Sequence, residues 1–256
     1  MANARVDSGA AWPRSRDRQA LPGEALGQAH RVDAVLFDVD FTLAKPGPLL
    51  GPEGYREAGE RHGLVLDPAL YPQARAAAVE DLEHHPELEH DEEIWIRFTE
   101  DIVRGMGGDG PRVREVAVAI TSGWLHSENF ELYEDVLPVL ARLREAGLAI
   151  GLVSNTSRDL TSFVRHFSLD VDAWISSGVH GKVKPSPTIF RAALELLDVA
   201  PEAAVMVGDS LIDDVEGARA LGMRAYLIDR EGRFPERDDA LPTLLALPAL
   251  VLRDGA

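Results

Sequence analysis

Four short apolar runs, at 34–37, 148–153, 204–207 and 224–228, constrain this chain more than any other feature. Each has the length of a strand and lacks strict alternation of polar and apolar residues. That pattern suits strands buried on both faces. A fifth, shorter run covers 173–175. Helical segments follow or separate them at 134–144, 159–167, 187–197 and 214–221, with Gly147 and Gly222 as stops and Ser186 as a cap. Strand–helix alternation of this kind predicts an α/β fold: a doubly wound parallel sheet with helices on both faces. An apolar stretch at 241–250, interrupted by Pro242 and Pro248, is predicted to form a short helix packed on that unit.

Three of the runs break off into polar residues. The first enters Asp38-Val39-Asp40-Phe41-Thr42, the second Ser154-Asn155, and the third Gly208-Asp209-Ser210. Taken singly, each reads as a turn or a helix cap. In a parallel sheet, however, the three ends share one edge, and that edge is where open α/β sheets bind ligands. Asp38 and Asp40 are two residues apart, so in extended chain they project to the same side. Two like charges so placed call for a divalent cation or an altered pKa. Lys184 lies in a loop with Pro185 and Pro187, which makes the loop stiff enough to fix a cation beside the carboxylates.

From about Glu53 to Asn129 the pattern changes to helical periodicity without a convincing strand. Four helices are predicted. They cover 53–62, closed by Gly63; 67–83, with Asp67 as cap and Pro68 in the first turn; 91–104, stopped by Gly105; and 111–127. Ile94, Trp95, Phe98, Ile102 and Val103 give the third an apolar stripe. The expected organisation is therefore a flexible arm at 1–30, an α/β core at 31–44 and 131–256, and an inserted all-helical cap at 45–130.

Charge and composition exclude some partners. Lys and Arg number 26 against 43 Asp and Glu, a net charge of -17, which disfavours nucleic acid and anionic membranes. There is no cysteine, so disulfides, thiolate metal sites and Cys nucleophiles are excluded. No apolar run approaches the ~18 residues of a membrane span. Arg5, Arg14, Arg16 and Arg18 are not followed by an apolar signal core, so a secretory signal is not expected and a cytoplasmic location is. The acidic run at 80–93, with His84, His85 and His90, reads as a solvated helix face and turn. Pro86 interrupts the spacing a transition-metal site would need. Lys45, Trp124 and His126 flank the junctions of the insert and are candidates for contact with a substrate.

With these residues in place, the chain resembles the haloacid dehalogenase-like hydrolase superfamily. Four motifs match in order: Asp38-Val39-Asp40-Phe41-Thr42; Ser154; Lys184 within Lys-Pro-Ser-Pro-Thr-Ile-Phe; and Gly208-Asp209-Ser210 followed by Asp213-Asp214. The resemblance covers about Val32 to Arg230. It implies a Rossmann-like core with a C1-type cap (subfamily IA), in the branch of small phosphatase-like proteins related to the rhythmically expressed gene product.

The resemblance further implies a Mg²⁺-dependent phosphatase acting on a small phosphorylated metabolite through an aspartyl-phosphate. Asp38 would be the nucleophile and Asp40 the acid and base. Mg²⁺ would be held by Asp38, the Asp40 carbonyl and Asp209. Lys184 and Ser154 would hold phosphoryl oxygens, with Thr42 and Asn155 supporting. Asp213 or Asp214, with Asp214 favoured, would orient a metal-bound water or Lys184. Relatives that act as haloacid dehalogenases lack the second Asp, so Asp40 favours phosphoryl chemistry. A phosphomutase or a haloacid dehalogenase of the same fold, and a catalytically silent interaction protein of that fold, are the alternatives. Phe41 departs from the family, which usually has Gly there, and Val179 and His180 depart from the usual third-motif loop.

Overall fold

The structure, a computed structural model, describes residues 31–83, 88–237 and 239–252. The expected arm at 1–30 and the residues His84, His85 and Pro86 lie outside them.

The centre of the fold is β1 (Ala34–Phe37), all four of whose residues are buried. Two parallel neighbours flank it: β4 (Ala149–Ser154), with Leu36 opposite Gly151, and β6 (Ala204–Gly208), with Leu36 opposite Met206. Outside these lie β5 (Ala173–Ser176) and β7 (Arg224–Leu227), so the sheet runs β5-β4-β1-β6-β7, all parallel. The chain winds from β1 outward through β4 and β5, then returns to β6 on the other side of β1. The direction of winding therefore reverses between β1 and β6, and ligands bind at the carboxyl ends around such a switch point.

Both faces of the sheet are covered, which explains the uninterrupted apolar runs. On one face Val35, Phe37, Ile150 and Val205 join a core with α5 (Val136–Glu145), α6 (Leu160–His166) and α10 (Leu247–Leu252). On the other, Leu36, Val153 and Met206 pack with α8 (Pro187–Leu197), which buries Ile189, Phe190, Ala193 and Leu194. The spacing of those four is that of one apolar helical face.

Between β1 and β4 the chain forms α1 (Pro52–Arg61), α2 (Tyr71–Glu83), α3 (Glu92–Gly105) and α4 (Arg112–Gly123). Asp67 and Asp91 accept from Ala69 N and Glu93 N as the first-turn caps. The α3 stripe is only partly interior: Ile94, Ile102 and Val103 are buried, whereas Trp95 and Phe98 face a cavity. The insert enters and leaves through a two-stranded antiparallel ribbon of β2 (Ala44–Pro46) and β3 (Phe130–Leu132), with Lys45 opposite Glu131. The ribbon, in which no strand was expected, straddles the boundaries predicted for the cap.

Two other segments differ from expectation. The helix predicted at 214–221 starts earlier, as a π-turn over Leu211–Glu216 that passes into α9 (Gly217–Arg219). A short α7 (Ser177–His180) follows β5 directly. Among the described residues no helix is long and apolar enough to cross a membrane.

Candidate active site

The carboxyl ends of β1, β4 and β6 bring the polar residues together as the parallel sheet requires. Asp38 follows β1 directly, and its N–H donates to Val207 O of β6 at 2.9 Å, so the ladder itself aims the residue. Asp38, Asp209 and Asp214 offer one carboxylate oxygen each within 4.8 Å of one another. Lys184 Nζ donates to Asp38 Oδ1 and to Asp214 Oδ1, each at 2.6 Å. Ser154, the last residue of β4, is buried and lines the same cavity, as do Asp40 and Asn155.

Asp214 owes its position to a glycine. Its Oδ2 accepts from Ser210 N at 3.1 Å, and a Cβ on Gly208 would collide with the same carboxylate. Asp213 points elsewhere: its Oδ2 accepts from Asn155 Nδ2 at 3.3 Å, and its N–H donates to Ser210 Oγ at 3.1 Å. The doubled acid is thus divided, with Asp214 in the carboxylate cluster and Asp213 against Asn155. Asn155 is also the clasp of the Lys184 loop. It accepts from Lys184 N at 2.7 Å and donates to Lys184 O at 3.1 Å, across the cis Lys184–Pro185 junction.

These buried charges shift one another. Burial raises the Asp38 carboxyl well above its ordinary range; Lys184 opposes that rise, and Asp214 and Asp209 add to it. Burial likewise raises Asp209, to about 7, with Arg233 working against the shift and Asp214 adding to it. Burial alone would lower the Lys184 ammonium, but Asp214 and Asp38 outweigh it and hold the group protonated far above its usual value. Lys184, on Asp38 and Asp214, and Arg233, on Asp209, therefore face three carboxylates. The donor atoms are all oxygen, which suits a hard divalent cation such as Mg²⁺. Among the described residues no other group of three His, Asp or Glu side chains converges in this way.

Three arginines that sequence reasoning missed complete the site. Arg158, just past the end of β4, is fully buried. Its Nη2 donates to both Asp40 oxygens, at 2.7 and 2.8 Å, and its Nε to the Trp124 carbonyl at the end of α4, at 3.1 Å. Its guanidinium lies 3.7 Å from the centre of the Phe130 ring. Arg233 Nη2 donates to Asp209 O and Oδ2 at 2.7 and 2.8 Å. Arg230 holds the loop after β1, donating to the Thr42 carbonyl from Nη2 at 2.7 Å while it pairs with Asp135. No short-range pattern marks any of them, because their partners are far away in sequence.

Thr42 stands apart from the other expected residues. Its side chain is fully buried, its Oγ1 has no hydrogen-bond partner, and it does not line the cavity. Lys45 pairs loosely with Glu131 and His126 with Glu128, both pairs on exposed surface and outside the cavity lining. His90 is occupied as a strut between insert and core: its ring nitrogens meet Ser177 Oγ at 2.8 Å and Ser157 Oγ at 2.9 Å. Burial lowers its pKa, so the neutral ring is favoured there. Val179 is exposed on the short α7.

Phe41 has φ 64, in the left-handed region. For a bulky residue that costs about 1–2 kcal/mol, and it explains why a glycine is usual at this place in the first motif. The turn is held by Phe41 N donating to Ala44 O at 2.6 Å, and the ring is delivered into the cavity. That cavity, about 340 Å³, lies between the strand ends and the insert helices α2, α3 and α4.

The haloacid dehalogenase-like hydrolase family matches residues 32–222. A phosphoserine phosphatase of Thermus thermophilus is 34% identical, covering 82% of this chain and 93% of that protein. A glyceraldehyde 3-phosphate phosphatase of Methanopyrus kandleri is 33% identical, covering 82% of this chain and 91% of that one. The crystal structure of a HAD phosphatase from Thermococcus onnurineus superposes with a TM-score of 0.57 at 26% identity, covering 86% of this chain and 98% of the other. Together with the sheet order and the Asp38–Lys184–Asp209 edge, these likenesses make the chain a member of the haloacid dehalogenase-like hydrolases. It is a hydrolase of that family, with a Rossmann-like core and a helical cap.

Proposed function

We propose that the protein is a Mg²⁺-dependent phosphatase that hydrolyses a small phosphomonoester through a phosphorylated Asp38. The observation that carries this is the pair of contacts by which Lys184 holds Asp38 and Asp214, with Asp209 beside them and Asp40 on the same edge. Asp38, the Asp40 carbonyl and Asp209 would hold the cation, with Asp214 behind. When bound, Mg²⁺ polarises the phosphoryl oxygens and offsets the charge that otherwise accumulates there.

In the first step an Asp38 oxygen attacks phosphorus, the bond to the ester oxygen breaks, and Asp40 gives that oxygen a proton. In the second a water attacks phosphorus, Asp40 takes its proton, and the bond to Asp38 breaks, releasing inorganic phosphate. Lys184 and Ser154 hold the phosphoryl oxygens, where preorganised donors act most strongly in a site shielded from water. Asn155 keeps Lys184 in place.

Asp40 is held at the cavity wall by Arg158, which contacts both carboxylate oxygens and fixes where that carboxylate stands. A dehalogenase has no leaving alkoxide to protonate and no use for that carboxylate. A panel of phosphate esters that includes phosphoserine and glyceraldehyde 3-phosphate tests the function, with Mg²⁺ present and then removed by a chelator. Mg²⁺-dependent release of phosphate that Asp38→Asn abolishes is the expected result. Hydrolysis undiminished in that variant would sink the assignment of Asp38.

A further inference from the structure

The cavity above the phosphoryl site has an apolar wall. Phe41, Trp95, Phe98 and Trp124 supply aromatic surface, and Val79 and Leu125 add aliphatic surface. The Phe41 and Trp124 rings lie 6.2 Å apart, and Trp95 meets Phe98 edge to face at 6.5 Å. Of the arginines on the wall, Arg75 is paired with Glu231 through both carboxylate oxygens, and Arg233 is engaged with Asp209. The Arg75 guanidinium also lies over the Phe41 ring, 4.1 Å from its centre, which braces the ring from the cap side. Glu92 adds negative charge to the lining.

Phe41 is the most informative of these residues. It follows Asp40 directly, where the backbone turns into the left-handed region. A side chain kept at a backbone position suited to glycine points to a use for the ring. The ring lines the space that a group bonded to the reacting phosphate would enter.

We infer that the substrate is a phosphomonoester whose leaving group is apolar and uncharged, aromatic or branched aliphatic, and that Phe41 is a specificity-determining residue that packs against it. This rests on the phosphatase reading above. A leaving group with a second acid would meet Glu92 and arginines already committed to carboxylates. An apolar one would bury its surface against four aromatic rings.

Benzyl phosphate, methyl phosphate and 3-phosphoglycerate test the idea. The first two are esters of alcohols of similar acidity, so their ratio of kcat/KM reports the pocket rather than the chemistry. The expected preference is about tenfold or more for benzyl over methyl, with 3-phosphoglycerate poorest. Phe41→Gly relaxes the backbone while removing the ring, and should cut the benzyl-to-methyl ratio about three- to tenfold. Trp95→Ala, in the cap, should lower the same ratio without touching the first motif.

Equal turnover of the three esters, or a ratio unmoved in both variants, would overturn the inference and leave the phosphatase reading standing. If no ester is turned over, the phosphatase reading fails. Calorimetric titration with benzylphosphonate and methylphosphonate in Mg²⁺ then decides the pocket alone. Tighter binding of the benzyl compound supports it, and equal or absent binding overturns it.

Discussion

Arg158 holds Asp40 by both carboxylate oxygens, at 2.7 and 2.8 Å, and at the same time holds the Trp124 carbonyl where the insert returns to the core. The proposed acid and base is thus oriented by a buried guanidinium that is also tied to the end of α4. Lysine cannot reproduce the bidentate grip. Arg158→Lys should lower kcat by about tenfold to a hundredfold, as expected when a reacting group is misplaced by about 1 Å, with a smaller change in KM. A merely structural residue would lose activity in proportion to folded protein, so circular dichroism and a kcat-against-KM comparison separate the two. Arg158→Ala leaves Asp40 without its partner and should also cost about 3 kcal/mol of stability, read by urea denaturation.

The raised pKa of Asp209, about 7, gives the metal-free protein a defined pH response. Its folded value lies above the ordinary aspartate value of about 3.9, so between the two the folded state binds more protons than the unfolded chain. This contribution to stability is therefore present at low pH and is lost as pH rises through about 7. Melting in EDTA should show it as a decline in Tm between about pH 4 and about pH 7 that levels off above, a decline that Asp209→Asn reduces. Cation binding requires the carboxylate, so Mg²⁺ affinity should fall as pH drops below about 7, with proton uptake on release. Calorimetry in two buffers of different ionisation enthalpy measures that proton.

Asn155 fastens Lys184 through two backbone hydrogen bonds, at 2.7 and 3.1 Å. Removing the amide should free the loop that carries the ammonium between Asp38 and Asp214. Asn155→Ala should lower kcat/KM about tenfold or more and cost about 1–3 kcal/mol, the range for buried groups left without partners. Steady-state kinetics beside thermal melting checks both numbers.

Gly208 sits where a Cβ would collide with the Asp214 carboxylate. Gly208→Ala must displace Asp214, and with it one of the two carboxylates that hold Lys184. The expected cost is about 2–4 kcal/mol, typical of strain introduced into a buried polar network. Loss of activity should accompany it even in the fraction that remains folded.

Much of the fold was legible because burial writes itself into sequence. β1, β4 and β6 are covered on both faces, so each appears as an apolar run, and Asp38, Ser154 and Asp209 appear where the runs stop. The four insert helices were legible for the same reason, through periodicity, caps and glycine stops. The β2–β3 ribbon was not, since each strand has three residues, one strand contains Pro46, and the pairing joins residues on either side of the insert. Arg158 was equally hidden. It looks like an ordinary charge ahead of α6, and only the fold brings it to Asp40, 118 residues away. Thr42 differs in the opposite direction: the resemblance implies a supporting contact to the phosphoryl group for its hydroxyl, but the side chain does not line the cavity. The turn at Phe41 instead buries Thr42 and presents the aromatic ring to the cavity.

Rapid-quench trapping of a phosphorylated Asp38 is the most direct test of the central claim. The wild-type protein would be mixed with Mg²⁺ and an excess of a hydrolysed phosphate ester, quenched in acid within the first turnover, digested and weighed by mass spectrometry. A phosphoryl group on the peptide containing Asp38, absent from Asp38→Asn and discharged by hydroxylamine, is the predicted result. Full turnover with no phosphorylated peptide at any time point, or continued turnover by Asp38→Asn, would contradict it.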